Sequence, residues 1–300
     1  RSLSLASSSS SLSASEKPIS SKTPQTTVTC VYQAHIAGSL RNVTVLWAKN
    51  LMNHSLSLSV DSVDPEVVST CKIDLKPWYF WAKKGYRTFE VDGSSQIEVY
   101  WDLRSAKFSG SPEPFSDYYV ALVAEDEVAL LLGDLKKKVF KRTKARPALV
   151  EAVIFYKKEN VFGKKSFSTR AKFDQMKQDH DIVVESSILG PREPEMWISI
   201  DGIVLIHVTN LHWKFRGNQT VIVNKQPIQV FWDVHSWLFC VPGSGHGVFI
   251  FKSSENEGES DNDSSSHCDD SECSNSSRYF STQSYSKKDF SLFLYAWKIE

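Results

Sequence analysis

No stretch of this chain stays apolar for the roughly 20 residues that a membrane-spanning helix needs. The run Val128 to Leu132, for one, stops at Gly133 and Asp134, so no transmembrane segment is expected. Cysteine is scarce: Cys30, Cys71, Cys240, Cys268 and Cys273 are odd in number and scattered. That pattern excludes a disulfide framework and suits a reducing compartment. Net charge is also absent, since 35 basic residues balance 35 acidic ones. Finally, no long segment carries the 3.6-residue apolar period of an amphipathic helix, so helices should be few and short. With 41% hydrophobic and 12% aromatic residues in 300, the composition is that of an ordinary globular chain with a sizeable core.

What is present instead is a repeat. Ile97-Glu98-Val99-Tyr100-Trp101-Asp102-Leu103-Arg104-Ser105-Ala106-Lys107-Phe108 returns as Ile228-Gln229-Val230-Phe231-Trp232-Asp233-Val234-His235-Ser236-Trp237-Leu238-Phe239. A Trp-x-Phe precedes each copy, at Trp78 to Phe80 and Trp213 to Phe215. An internally duplicated scaffold is the reading. Around it the chain alternates with a period of two: Val43, Val45 and Trp47, then Leu56, Leu58 and Val60 between serines, with further short runs to Leu292–Trp297. Asp92-Gly93, Glu125-Asp126, Asp201-Gly202 and Asn224-Lys225 supply turn signals between the runs. The fold class expected is all-β, a large antiparallel β-sandwich or barrel built from two related halves with few short helices.

We divide the chain into a Ser-rich disordered tail at 1–26 and one β-rich domain at 27–300, with halves at 27–115 and at 116–252 plus 279–300. The tail also fits the remnant of an organellar transit peptide. Between the last strands, 253–278 holds eight acidic residues against Arg278 and almost nothing apolar, which reads as a disordered acidic insertion. It faces a basic counterpart: thirteen Lys and Arg lie between Lys136 and Lys172 against only Glu151 and Glu159. We expect the insertion to compete with an anionic partner for that segment, which otherwise reads as a solvated, mobile connection. Only Phe140 interrupts the dense run Lys136 to Arg146, so the stacking platform of a single-strand nucleic-acid binder is missing and nucleic acid is disfavoured. The candidate interaction surface is Lys136, Lys137, Lys138, Lys141, Arg142, Lys164, Lys165 and Arg216.

Catalytic constellations are weak. Alternation puts Trp101 and Trp232 in the core and turns Asp102 and Asp233 the other way, at strand ends where a carboxylate accepts backbone N–H bonds. The functional alternative is an acid and base pair assisted by His235. Cys240 with His235 or His246 imitates a thiol and its base, yet neighbours on a strand usually face opposite ways. His267-Cys268 with Cys273 lacks the second ligand pair of a tetrahedral site, and Gly243-Ser244-Gly245-His246-Gly247 lacks the lysine of a phosphate loop. No catalytic residue, cofactor or metal is therefore assigned.

From about Val28 to Lys252, and again near Tyr295-Ala296-Trp297, the chain resembles a plant-specific family catalogued as domain of unknown function 868. The stretches that carry the resemblance are Trp47-Ala48-Lys49-Asn50, Asp74-Leu75-Lys76-Pro77-Trp78, Tyr100 to Phe108, Leu130 to Lys137, Val161 to Lys165, Ala171-Lys172-Phe173, Phe215 to Thr220 and Phe231 to Phe239. The resemblance implies a plant protein that is not secreted, and it brings no activity, substrate or catalytic residue. Ser236 stands where the family more often has Asp. An intracellular location follows, cytoplasmic first, with nucleus or plastid as alternatives. Three functions remain: a non-catalytic scaffold binding a protein or anionic partner, a binder of a small apolar ligand or lipid in a β-barrel, and, last, an enzyme using Asp102, Asp233 and His235.

Overall fold

A computed structural model describes residues 25–50, 54–62, 68–75, 83–93, 95–173, 178–188, 193–241, 244–253 and 289–299. The Ser-rich tail as far as residue 24, the Trp78 to Phe80 motif, and the acidic insertion with its His267, Cys268 and Cys273 lie outside them.

The described chain is built from four antiparallel meanders. The first comprises β1 (Thr26–Ile36), β2 (Ser39–Lys49), β3 (His54–Asp61) and β4 (Val68–Leu75), and the second β5 (Lys84–Val91), β6 (Ser95–Asp102), β7 (Tyr119–Ala124) and β8 (Glu127–Gly133). Helix α1 (Lys136–Thr143), the short β9 (Arg146–Pro147) and the long β10 (Val153–Gly163) form the bridge. The third meander is β11 (Ser166–Ala171), β12 (His180–Ser187), β13 (Glu195–Ile200) and β14 (Ile203–Val208). The fourth is β15 (Arg216–Val223), β16 (Gln226–Asp233), β17 (His246–Ser253) and β18 (Ser291–Lys298), with α2 (His235–Phe239) between β16 and β17. The turns follow from local chemistry. Asp201-Gly202 and Asn224-Lys225 each place two residues at positive φ between adjacent strands, the mirror-image turn whose twist matches that of the strands.

The first and fourth meanders lie in one nine-stranded sheet, ordered β15-β16-β17-β18-β10-β1-β2-β3-β4. At its centre β10 pairs antiparallel with β1 and parallel with β18. The second meander, extended by β9, packs on the first to bury Val28, Val45, Trp47, Leu58, Ile97, Val99 and Leu122. The third packs on the fourth around Phe167, Ile182, Met196, Ile198, Val230, Phe249 and Phe251. The result is two sandwiches that share a sheet, with Ile154 of β10 touching both cores. The first core takes in Tyr118, Val120, Leu122, Ala129, Leu130 and Leu132 as well, so the cores divide in the bridge rather than near residue 115.

The repeat has a structural meaning. Gly85 of β5 lies opposite Trp101 of β6, and Gly217 of β15 lies opposite Trp232 of β16. In each copy the indole crosses the glycine, because a Cβ on Gly85 would stand 2.5 Å from Trp101 and one on Gly217 closer still to Trp232. In each the residue after the Asp returns its N–H to the strand before it, Leu103 to the Lys83 carbonyl at 2.7 Å and Val234 to that of Phe215 at 2.8 Å. The two tryptophans differ, however. Trp101 is buried, whereas Trp232 is half-buried and donates its Nε1–H to the Lys214 carbonyl at 3.1 Å. Alternation specifies the face on which a side chain lies, not how fully the core covers it: Trp232 packs against the second core but is only partly buried.

Helix α1 replaces the mobile connection expected over the basic run. Leu135, Val139 and Arg142 recur at helical spacing, with Val139 buried on the outer face of β7 beside Tyr119 and Ala121. That apolar stripe is narrow, and the surrounding lysines hide it.

Candidate functional site

Asp102 and Asp233 act at home. Asp102 accepts the Arg104 backbone N–H at 3.3 Å and the Arg104 Nε–H and Nη2–H at 2.9 and 2.8 Å. Burial pushes its carboxyl up, but the Arg104 hydrogen bonds outweigh that and hold it below the usual range. Asp233 accepts the His235 N–H at 3.0 Å and the Arg216 Nε–H at 2.7 Å. Each carboxylate thus closes an Asx turn and takes its own arginine. Among the described residues no hydrogen bond or ion pair joins the two aspartates, and no group of three or more His, Cys, Asp or Glu could hold a metal ion.

The basic residues scatter. Lys136, Lys137, Lys138 and Lys141 are exposed on α1, and Lys164 and Lys165 are exposed in the β10–β11 hairpin. Arg142 turns inward instead, donating from Nη1 to the Trp101 carbonyl at 3.2 Å and the Tyr119 hydroxyl at 2.9 Å, and from Nη2 to the Gly85 carbonyl at 2.9 Å. It is a clamp across β5, β6 and β7. Arg170 and Lys172 pair with Asp181 and Asp179, so the charge surplus of the segment never assembles as one patch.

Arg216 belongs to a different surface. Its guanidinium lies 5.5 Å from the Phe215 ring. Phe215 meets His235 at 5.3 Å and Phe239 at 5.7 Å, and His235 lies 4.8 Å from Phe239. Phe239 is itself 53% exposed, and near these rings in the chain Trp213 is 88% exposed and Val241 75% exposed. Lys214 and His212 are exposed in the same loop. The β14–β15 loop and α2 together form this aromatic and basic patch. The Trp213-x-Phe215 motif, read in the sequence as part of the repeat, is the signal that could have pointed to it; α2 gave none, because the strand repeat runs through it.

The second feature is a cleft of about 1730 Å³ between the sheets. In it Lys157 of β10 places its ammonium 2.8 Å from Glu159 and 3.1 Å from Glu113, and donates to the Arg170 carbonyl at 2.9 Å. Burial works against the ammonium, but Glu113 and then Glu159 outweigh it and hold Lys157 well above the ordinary lysine value. Burial first, then Glu113, push the Cys30 thiol and the Tyr118 hydroxyl up. Sequence reading missed this cluster because Lys157-Lys158-Glu159 looks like a solvated run; only strand alternation, which puts Lys157 and Glu159 on one face, hints at it. Asp102, Asp233 and His235 do not line the cleft.

Lys298, at the end of β18, carries its ammonium 4.8 Å over the Trp237 ring, and burial lowers its pKa to about 8. Acylation by an N-hydroxysuccinimide ester, followed residue by residue by mass spectrometry, should therefore give Lys298 a pH midpoint near 8. A midpoint shared with the α1 lysines would refute this. The same shift makes stability rise with pH between about 8 and 10.5, because the folded amine loses its proton before the unfolded one does.

Two sandwiches sharing one nine-stranded sheet, with one copy of the Gly-over-Trp strand pair in each, define an all-β protein of duplicated design. Its residues 23–298 match the family model described as plant protein of unknown function (DUF868), and the chain belongs to that family. No curated protein and no solved structure matches it. Among the described residues no helix is long and apolar enough to cross a membrane.

Proposed function

We propose that this protein is a non-catalytic β-scaffold that binds an acidic segment of a partner protein through the patch of Trp213, Phe215, Phe239 and Val241. The observation that carries the reading is the exposed Phe239 packed on Phe215 and His235, with the exposed Trp213 and Val241 each two residues away in the chain from one of those rings, since exposed apolar groups of this kind mark contact sites. The partner's charge is argued from the rim. Lys214 and Arg216 flank the rings, and the one acid bound there among the described residues is Asp233, which Arg216 already pairs with. Aromatic and arginine side chains are also those that dominate binding energy at interfaces.

The test is fluorescence anisotropy with labelled 15-residue peptides of three kinds: acidic with Leu and Phe, acidic without them, and basic with them. The first kind should bind most tightly and weaken as salt rises. Trp213→Ser with Phe239→Ser should reduce its affinity at least tenfold while circular dichroism stays unchanged. Equal binding of all three kinds, or no loss in the double variant, overturns the reading.

A further inference from the structure

The outer face of the nine-stranded sheet carries an inference independent of the patch. An antiparallel sheet with one face on the core ordinarily turns polar side chains outward. The central strands do otherwise. On β18, Leu292, Leu294 and Ala296 are buried, while Phe293, Tyr295 and Trp297 alternate with them and stay partly exposed on the opposite face. On β10 the usual arrangement is inverted: Lys157 and Glu159 are buried, whereas Tyr156, Lys158 and Phe162 share the outer face. The second and third meanders pack against the buried face.

The outer rings meet across strands. Phe162 lies 6.1 Å from Trp297 with nearly parallel planes, and Tyr156 lies 5.2 Å from Phe293. His246 of β17 meets Trp297 at 4.4 Å and Tyr295 at 5.3 Å. Burial first, then Lys158, hold His246 below the ordinary histidine value, so at neutral pH it adds a ring and no charge. Cations complete the surface. Lys158 holds its ammonium 4.7 Å over the Tyr295 ring, and Lys252 of β17 lies 5.8 Å from the Phe231 ring of β16. Among the described residues no salt bridge engages either lysine. The acid that β16 brings to this face, Asp233, is already held by Arg216 at 2.7 Å.

Two uncommitted ammonium groups among aromatic rings suit a chain that offers flat bases and phosphates together, because every base has a π-face and every link an anion. An acidic peptide would use the lysines and leave the rings without partners, and a neutral sugar chain would do the reverse. The basic run Lys136 to Arg146 has Phe140 as its one aromatic; the sheet assembles its platform from β10, β17 and β18, segments far apart in the chain. We propose that the outer face of β10, β16, β17 and β18 binds single-stranded nucleic acid, its bases stacked on Tyr156, Phe162, Phe293 and Trp297 and its phosphates held by Lys158 and Lys252.

The experiment is fluorescence anisotropy of the full chain with labelled 15-nucleotide oligo(dT) and oligo(U), against a blunt 15-base-pair duplex and a 15-residue oligoglutamate. Both single strands should bind saturably and at least tenfold more tightly than the duplex, whose base faces are already stacked, and than the peptide. Trp297→Thr should weaken single-strand binding at least fivefold, the loss expected when one stacked base loses its platform. Lys158→Gln with Lys252→Gln should flatten the slope of log affinity against log salt by about 1.4, roughly 0.7 for each phosphate contact removed. Trp213→Ser should leave single-strand binding unchanged, which separates this face from the peptide surface. No saturable binding, duplex or oligoglutamate binding as tight as the single strands, or an unaltered salt slope in the lysine variant overturns the proposal. If Trp297→Thr does not fold, the lysine variant and the single-strand to duplex ratio of the unaltered protein decide the matter in the same two directions.

Discussion

Replacing Lys157 by Ala should destabilise the protein by about 3–5 kcal/mol, the cost of removing one partner from a buried ion cluster. The group left behind explains the size. Glu159 is 3% exposed and draws one of its hydrogen bonds from the Lys157 ammonium at 2.8 Å, so truncation leaves a carboxylate with neither water nor cation. The Arg170 carbonyl loses its donor as well. The position magnifies the effect, because β10 holds β1 on one side and β18 on the other. Equilibrium unfolding in urea measures the change, and the double variant Lys157→Met with Glu159→Leu separates its causes. Removing both charges should recover most of the loss, since a well-packed apolar pair substitutes for a buried ion pair at little net cost. Glu113, a quarter exposed at its side chain, keeps access to solvent in that variant. A loss under about 1 kcal/mol for the single variant, or a double variant no better than the single, would show that solvent already reaches the cluster.

The second large effect is an asymmetry between the two copies of the repeat. Gly85→Ala should cost about 3 kcal/mol and Gly217→Ala about 1 kcal/mol, the upper and lower reaches of overpacking. Both new methyls would run into an indole. Trp101 has no way out: it is 6% exposed, and Arg142 binds both its carbonyl and that of Gly85. Moving either strand breaks the clamp. Trp232 is half-buried and can swing outward for the loss of its bond to the Lys214 carbonyl. Thermal unfolding of the two variants decides this, and equal costs would mean that the indoles are equally confined.

The strands that alternate cleanly were legible. Val43, Val45 and Trp47 on β2 and Leu56, Leu58 and Val60 on β3 are buried as their period of two demands. The Asp201-Gly202 and Asn224-Lys225 turns were legible too, because residues tolerant of positive φ announce themselves. Helix α1 was not, since one buried valine among six basic residues at 136–144 leaves too few apolar positions for a 3.6-residue period to stand out. Nor was the interaction surface as first drawn: Arg142 stood among the solvent-facing candidates, and helical geometry turned it toward the Gly85 and Trp101 carbonyls.

By itself, then, the sequence determined the all-β class, the duplication and the hairpins, because periodicity, turn dihedrals and a repeated strand pair are local properties that survive without knowledge of neighbours. The tertiary structure alone decided that β10 would join the two sandwiches. It seated Tyr156 beside Ser291 and Gln33 beside Val153, pairings between segments far apart in the chain whose selection depends on how whole sheets close over their cores. Tertiary packing likewise made the cleft, where Lys157 meets Glu113 and Glu159, and the patch, where α2 carries Phe239 up against Phe215. Charge and aromaticity can be counted along a chain, but whether they meet, and whether water reaches them, depends on the packing.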